Sequence, residues 1–325
     1  MKKTIFVHLK SFSFLNDGNS LLVQGKIKQL LADIQSGSFR ALARGITIVE
    51  NELNGYEDLL GSLRSSTGPA VIGITGPPGA GKSTLVNALL DHWIPQGKKI
   101  AIIAVDPSSP FNFGALLGDR IRMSSFYNNP NVYIRSLASR GALGGLSAKI
   151  LEVTDLVRSA PFDHVLVETV GVGQSEVEIA GLANCTIVAL VPEAGDEVQT
   201  LKAGLMEIAE IFVVNKSDRD LADRLFISLK AMVHAKATKE SEIPVIKTVA
   251  SSGEGIPALA ETIDKVLQSQ KSNKEARVQF LTEKVWHLIQ SKRMKDLAKP
   301  DICRELAIEA DNADFNLYSF VQRYI

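Results

Sequence analysis

Between residues 70 and 249 the chain alternates short apolar runs with longer stretches whose apolar residues recur every three or four positions. The runs at 70–75, 99–105, 132–136, 164–169, 185–191, 211–215 and 245–249 have the length and Val/Ile content of buried strands. Helical periodicity falls between most of them. This alternation predicts an α/β fold built on a mostly parallel sheet with helices on both faces. Ligands of such sheets sit at the carboxyl ends of the strands.

The flanks read differently. From 24 to 54 the text is helical, with one stripe at Ile27, Leu30, Leu31 and Ile34 and a second at Leu42, Ile46 and Val49, separated by Gly37 and Ser38. A short helix is expected over 56–63, and residues 1–24 are weakly patterned. A polar joint follows at 61–68. Beyond the strands, 256–268 reads as a closing helix and 271–275 as a polar break. Residues 276–291 read as a long helix with Val278, Leu281, Val285, Leu288 and Ile289 on one side, and 302–309 and 315–324 also look helical. The expected organisation is an N-terminal helical extension over 1–68, an α/β domain over 69–270 and a C-terminal helical arm over 271–325. The arm is too small to bury a core alone and needs the main body or another chain.

The polar motifs fall where the strands end. The first run leads into Gly76, Pro77, Pro78, Gly79, Ala80, Gly81, Lys82 and Ser83, with Thr84 next. This is the G-x-x-x-x-G-K-[ST] phosphate loop, followed by an apolar-periodic helix at Leu85, Val86, Leu89 and Leu90. Its glycines let backbone N–H groups converge on a phosphate, and the helix beginning near Lys82 adds the positive end of its dipole. Lys82 supplies charge for the β- and γ-phosphates, and Ser83 a hydroxyl for magnesium.

The second strand ends in Asp106, followed by Pro107 and Ser108. A carboxylate at that tip suits magnesium, directly or through water, and an Asx turn fits the same residue. Asp119 fits either a magnesium contact or a helix cap; spacing does not separate the two. The glycine-rich segment at 140–145 is a weak pattern. The run at 164–167 leads into Glu168, Thr169, Val170 and Gly171. A carboxylate there organises magnesium or the attacking water, and the Gly171 backbone N–H can approach a γ-phosphate. A contact that exists only while that phosphate is present makes the segment a switch. Gln174 fits water orientation or a helix start. The loop at 191–199 reads as an ordinary connection or a further mobile loop.

The run at 211–214 leads into Asn215, Lys216, Ser217 and Asp218, an N-K-x-D pattern. The aspartate accepts from guanine N1–H and its amino group; adenine would leave that carboxylate unsatisfied. The Lys216 stem can cover the ring. Ser251 and Ser252 follow the last strand, where backbone N–H groups can meet the guanine carbonyl. The ligand expected is GTP or GDP with Mg2+.

Composition adds bounds. Lys+Arg and Asp+Glu both total 36, which gives no support for a nucleic-acid or membrane partner. Cys185 and Cys303 are far apart, so a disulfide framework is not expected and a cytoplasmic setting fits. No apolar run reaches membrane-spanning length. The N-terminus starts like a secretory signal, but His8 and Lys10 interrupt its apolar region. A weakly ordered leader or an over-long start is the expectation. Arg40 and Arg44 share a helix face, read as solvated rather than phosphate-binding.

Taken together, the segments RALARGITIVEN (40–51), GITGPPGAGKSTL (73–85), AVDPSS (104–109), LLGDRIRM (116–123), SRGALGG (139–145), VLVETVGVGQSE (165–176), AGDEVQ (194–199) and NKSD (215–218) resemble the MeaB/ArgK family of P-loop GTPases. These are chaperones of adenosylcobalamin-dependent acyl-CoA mutases, methylmalonyl-CoA mutase above all. The resemblance implies magnesium carboxylates at Asp106, Asp119 and Glu168, a switch around 170–176, and a partner-responsive loop around 193–202. It also implies a homodimer formed through the C-terminal helices, and GTP hydrolysis coupled to loading, gating or protection of the mutase cofactor. Catalytic weight then falls on Lys82, Glu168 and Gly171. The chain departs from the family pattern at 110–115 (PFNFGA) and at Glu193, where glycine is usual. Alternatives are a nickel-insertion GTPase, for which the scattered histidines give no ligand cluster, and a P-loop kinase, against which the guanine motif argues.

Overall fold

The computed structural model describes residues 11–63, 68–106, 123–138, 146–147, 149–171, 178–193, 205–236, 242–269, 274–294, 296–310, 312 and 315–324. The chain divides into two compact units, Met1–Asn273 and Lys274–Ile325.

The first unit opens with helices α1 (Ser11–Gln35), α2 (Phe39–Glu50) and α3 (Tyr56–Gly61). Helix α1 begins upstream of residue 24, where the periodic pattern starts. Ser38 caps α2, its Oγ accepting from Ala41 N at 3.2 Å. The predicted stripe on α2 is buried at Leu42, Ile46 and Val49, each such side chain contributing about 1.5–3 kcal/mol. Gly45 brings α2 against Leu156 and Ile34.

The sheet follows, with strands β1 (Ala70–Thr75), β2 (Ile100–Asp106), β3 (Val132–Ala138), β4 (His164–Glu168), β5 (Cys185–Leu190), β6 (Ile211–Val214) and β7 (Val245–Lys247). The order is β3-β2-β4-β1-β5-β6-β7, and every ladder is parallel. Between and after the strands lie α4 (Lys82–Trp93), α5 (Ile150–Arg158), α6 (Glu178–Leu182), α7 (Leu205–Ile208), α8 (Ala222–Lys236) and α9 (Ile256–Gln268). The α/β architecture is the one expected from the sequence. Strands β2, β4, β5 and β6 are buried along their whole length, which is why they read as continuous apolar runs rather than alternating ones. One core cluster joins β1, β2, β4, β5 and β6 to α4 and α9 through residues such as Ile74, Leu89, Trp93, Ile102, Leu166, Val213 and Leu259.

Strand order fixes where the site lies. β1 is flanked by β4 and β5, neither of which neighbours it in sequence. Connections therefore diverge around the tip of β1, leaving a crevice at its carboxyl end. The N-terminal helices meet the sheet at the opposite flank, near edge strand β3. There the Phe39 ring lies 5.4 Å from Tyr133 and 5.9 Å from Phe162, and Arg135 of β3 pairs with Glu50 of α2. Burial pushes the Tyr133 hydroxyl up to about 12.

The second unit contains α10 (Lys274–Arg293), α11 (Lys299–Glu309) and α12 (Leu317–Val321). Its own small core centres on Phe320, whose ring lies 6.0 Å from Phe315 and 5.5 Å from Tyr324. Arg323 makes two hydrogen bonds to Glu309, at 2.6 and 2.9 Å, and Tyr324 donates to Glu305 at 2.6 Å. On α10, Val278, Leu281, Val285, Trp286, Leu288 and Ile289 are exposed. No helix among the described residues is long and apolar enough to cross a membrane.

Candidate nucleotide site

The loop from β1 to α4 forms the floor of the crevice. Gly81 precedes α4 with φ +81, a conformation costly for residues with a Cβ. A Cβ there would also lie 2.5 Å from Asn215 Nδ2. Helix α4 begins at Lys82, immediately after the loop, so its N-terminus and the positive end of its dipole lie at the loop's end. Lys82 is buried, and its Nζ donates to the carbonyls of Gly76 at 2.7 Å and Pro77 at 3.1 Å. Ala80 is buried, while Gly79 and Thr84 are exposed along the rim.

Gly171 lies directly over this lysine. It has φ +81, and an added Cβ would come within 2.1 Å of Lys82 Nζ and 2.7 Å of the Gly76 carbonyl oxygen. Only a residue without a side chain lets the strand exit come so close to the loop.

Beside it is an oxygen-rich corner. Ser83 Oγ donates to Glu168 Oε1 at 2.7 Å, and both residues are buried. β4 lies between β1 and β2, so Glu168 and the buried Asp106 end adjoining strands. A hydroxyl and two carboxylates are hard oxygen donors, a set that suits Mg2+ and fits softer metals poorly. Asp119 and Gln174 lie outside the described residues, as do the glycine-rich segment at 140–145 and the loop at 194–200.

The N-K-x-D segment follows β6 and meets the phosphate loop through Asn215. Asn215 is buried. Its Nδ2 donates to the Ala80 carbonyl at 2.9 Å, and its Oδ1 accepts from Thr248 Oγ1 at 3.1 Å and Ala250 N at 3.2 Å. Lys216 adopts φ +53, with its Cε 3.9 Å from the Cβ position of Gly81. Asp218, four residues beyond the end of β6, is exposed. Ser217 N donates to Thr248 O at 3.0 Å, joining the loop after β6 to the turn that holds the exposed Ser251 and Ser252.

Several contacts here carry no local sequence signal. Thr248 and Ala250 complete the Asn215 network. Glu193, at the start of the loop leaving β5, pairs with Arg219, next to Asp218, and that hydrogen bond holds the Glu193 carboxyl below its usual value. Thr75 and Thr169 share a buried hydroxyl contact at 3.0 Å.

Comparison with known proteins agrees with this geometry. Residues 42–301 match the family model described as methylmalonyl Co-A mutase-associated GTPase MeaB. A relative from Pyrococcus horikoshii that carries a GTPase name is 45% identical over 242 residues, covering 73% of this chain and 76% of its own. The mouse protein named methylmalonic aciduria type A homolog, mitochondrial, is 33% identical over 301 residues, covering 84% of this chain and 72% of its own. A crystal structure named LAO/AO transport system kinase superposes with a TM-score of 0.66 at 25% identity, covering 92% of this chain and 96% of its own. The chain is a P-loop GTPase that binds GTP and GDP, and it belongs to the MeaB family of methylmalonyl Co-A mutase-associated GTPases.

Proposed function

We propose that the protein is a GTP-driven chaperone of an adenosylcobalamin-dependent acyl-CoA mutase, methylmalonyl-CoA mutase or a relative. In this reading hydrolysis is coupled to loading, gating or protection of the mutase cofactor. The observation that carries it is the packing of Gly171 on Lys82. An arriving γ-phosphate competes with the Gly76 and Pro77 carbonyls for the Lys82 ammonium. The bond to phosphate carries charge on both partners and is the stronger one, so the lysine turns toward it. Gly171, which rests on that ammonium, then registers whether the γ-phosphate is there. A segment that reports the state of the nucleotide is what a partner enzyme needs to read.

The remaining roles follow from position. Backbone N–H groups of Gly79, Ala80, Gly81, Lys82, Ser83 and Thr84 bind the phosphates. Asn215, Lys216 and Asp218 hold guanine, with Ser251 and Ser252 beside its carbonyl. Ser83, Asp106, Glu168 and Asp119 would hold Mg2+, which when bound neutralises charge on the β- and γ-phosphate oxygens. Glu168 is also suited to orienting the attacking water.

The C-terminal unit is read as a dimerisation arm. On α10, Val278, Leu281, Val285 and Leu288 follow the three-four spacing of a helix–helix seam and are 63%, 36%, 53% and 42% exposed. A second copy of this chain would cover them. The cytoplasm suits the two free thiols, Cys185 and Cys303.

The test is GTP turnover with and without the cognate mutase. Turnover should rise on mixing, and the two proteins should sediment together. Unchanged turnover with no complex would overturn the chaperone reading.

A further inference from the structure

Thr75 and Thr169 form a buried hydroxyl pair at the exits of β1 and β4. Their Oγ1 atoms lie 3.0 Å apart, and the residues are 0% and 2% exposed. Thr169 N also donates to the Ile74 carbonyl at 3.1 Å. The β1–β4 ladder pairs Ile74 with Glu168, so the hydroxyl contact extends it by one step. Thr75 immediately precedes Gly76. The pair therefore joins the strand entering the phosphate loop to the first residue beyond Glu168.

The far end of the same segment is fixed to the same strand. At Gly73 of β1 an added Cβ would meet Ile179 Cγ1 at 2.5 Å and Ala183 Cβ at 3.0 Å. The missing side chain lets α6 sit directly on β1. Both ends of the stretch between Thr169 and Glu178 are thus anchored on the strand that carries the phosphate loop.

We infer that Thr169, held by Thr75, is a positioning residue for GTP hydrolysis, setting the start of the segment that places Gly171 against Lys82. Neither hydroxyl can reach water, and a buried hydroxyl without a partner is costly. That cost favours the one arrangement in which Thr169 stands beside Thr75. Two residues of chain span at most about 7 Å, so slack at Thr169 passes directly to Gly171. The inference rests on the proposed γ-phosphate role of Gly171. It predicts a loss confined to the step in which that phosphate reacts, since GDP offers no γ-phosphate to contact.

The experiment measures single-turnover GTP hydrolysis and GDP affinity on the full chain for Thr169→Val, Thr75→Val, Thr169→Ser and Gly171→Ala. Each Val variant should slow hydrolysis about fivefold or more while GDP affinity stays within about twofold of wild type. Thr169→Ser, which keeps the hydroxyl, should recover at least about half of the wild-type rate. Thr75→Val carries the test if Thr169→Val does not accumulate as folded protein. A smaller slowing in the folded Val variants, a parallel loss of GDP affinity, or no recovery in Thr169→Ser overturns the inference. Gly171→Ala separates this inference from the reading beneath it. If it hydrolyses GTP at the wild-type rate, the γ-phosphate role of Gly171 fails. If it is slowed while the Val variants are not, that role stands and the positioning by Thr169 fails.

Discussion

The Asn215 side-chain amide donates to the Ala80 carbonyl at 2.9 Å, across 135 residues of sequence. Its oxygen meanwhile accepts from Thr248 and Ala250. One buried amide therefore ties the phosphate loop, the exit of β6 and the turn after β7 into a single frame. In the proposed reading this frame presents the binding groups for the base and for the phosphates at a fixed separation, which would leave little ordering to be done on binding.

Replacing Asn215 by Ala removes that frame and leaves buried partners on both sides unsatisfied. At about 1–3 kcal/mol for each such group, the variant should lose about 3 kcal/mol of stability in urea unfolding. GDP affinity should fall about tenfold or more, the equivalent of about 1.4 kcal/mol. Asp at the same position turns a carboxylate oxygen toward the Ala80 carbonyl and should do no better. Unchanged GDP affinity in a folded Asn215→Ala protein would contradict the bridging role.

Lys82→Ala addresses the other end of the frame. The ammonium is the buried charge of the loop and donates to two of its carbonyls. Charge-assisted bonds to phosphate are about twice as strong as neutral ones. Tight magnesium-GTP binding should disappear, with affinity falling on the order of a hundredfold, about 2.7 kcal/mol. Near-wild-type affinity in a fluorescent-nucleotide titration would refute the phosphate-loop assignment.

How far these features could be read from the sequence depends on whether they are local. The apolar runs are local, and β1 spans the predicted 70–75. The run expected at 99–105 forms 100–106, ending on Asp106 itself. Strands buried on both faces announce themselves, and their terminal carboxylates stand out against them. Strand order is not local. That β4 rather than β2 lies beside β1 is what brings Ser83 to Glu168 and Thr75 to Thr169. No periodicity at either residue encodes a neighbour some ninety positions away, as the separations of 85 and 94 show. The partners of Asn215 were hidden for the same reason. Glu193 was visible only as a departure from a pattern; its pairing with Arg219 needed β5 and β6 side by side.

Asp218→Asn tests the base. Asp218 is exposed at the end of β6, so its loss should leave the fold intact. In the proposed reading the carboxylate is the acceptor that distinguishes guanine from adenine, and a polar site that rejects a mismatched partner can discriminate by about 10⁴ or more. The variant should lose much of its preference for GTP over ATP in competition binding, with melting temperature unchanged. Undiminished base discrimination would sink the guanine assignment.

A last prediction concerns acid–base linkage far from the nucleotide. Glu210, just before β6, accepts a hydrogen bond from the backbone N–H of Thr186 in β5, and burial pushes its carboxyl from an ordinary 4.5 up to about 7. The folded-state value lies above the unfolded one, so the unfolded chain releases this proton first as pH rises. Stability is therefore fully present below about pH 4.5 and is lost progressively as pH climbs through about 7. His164 acts in the opposite sense. Burial lowers its pKa, its ring lying 5.0 Å from Trp93, so its contribution is present at high pH and is lost as pH falls below about 6.5. Glu210→Gln keeps an acceptor for Thr186 but cannot ionise, and so isolates the first effect. Between about pH 5.5 and pH 8 the wild type should lose about 2 kcal/mol relative to this variant in urea unfolding. Parallel stability curves for the two proteins across that interval would show that Glu210 is ionised in the folded state.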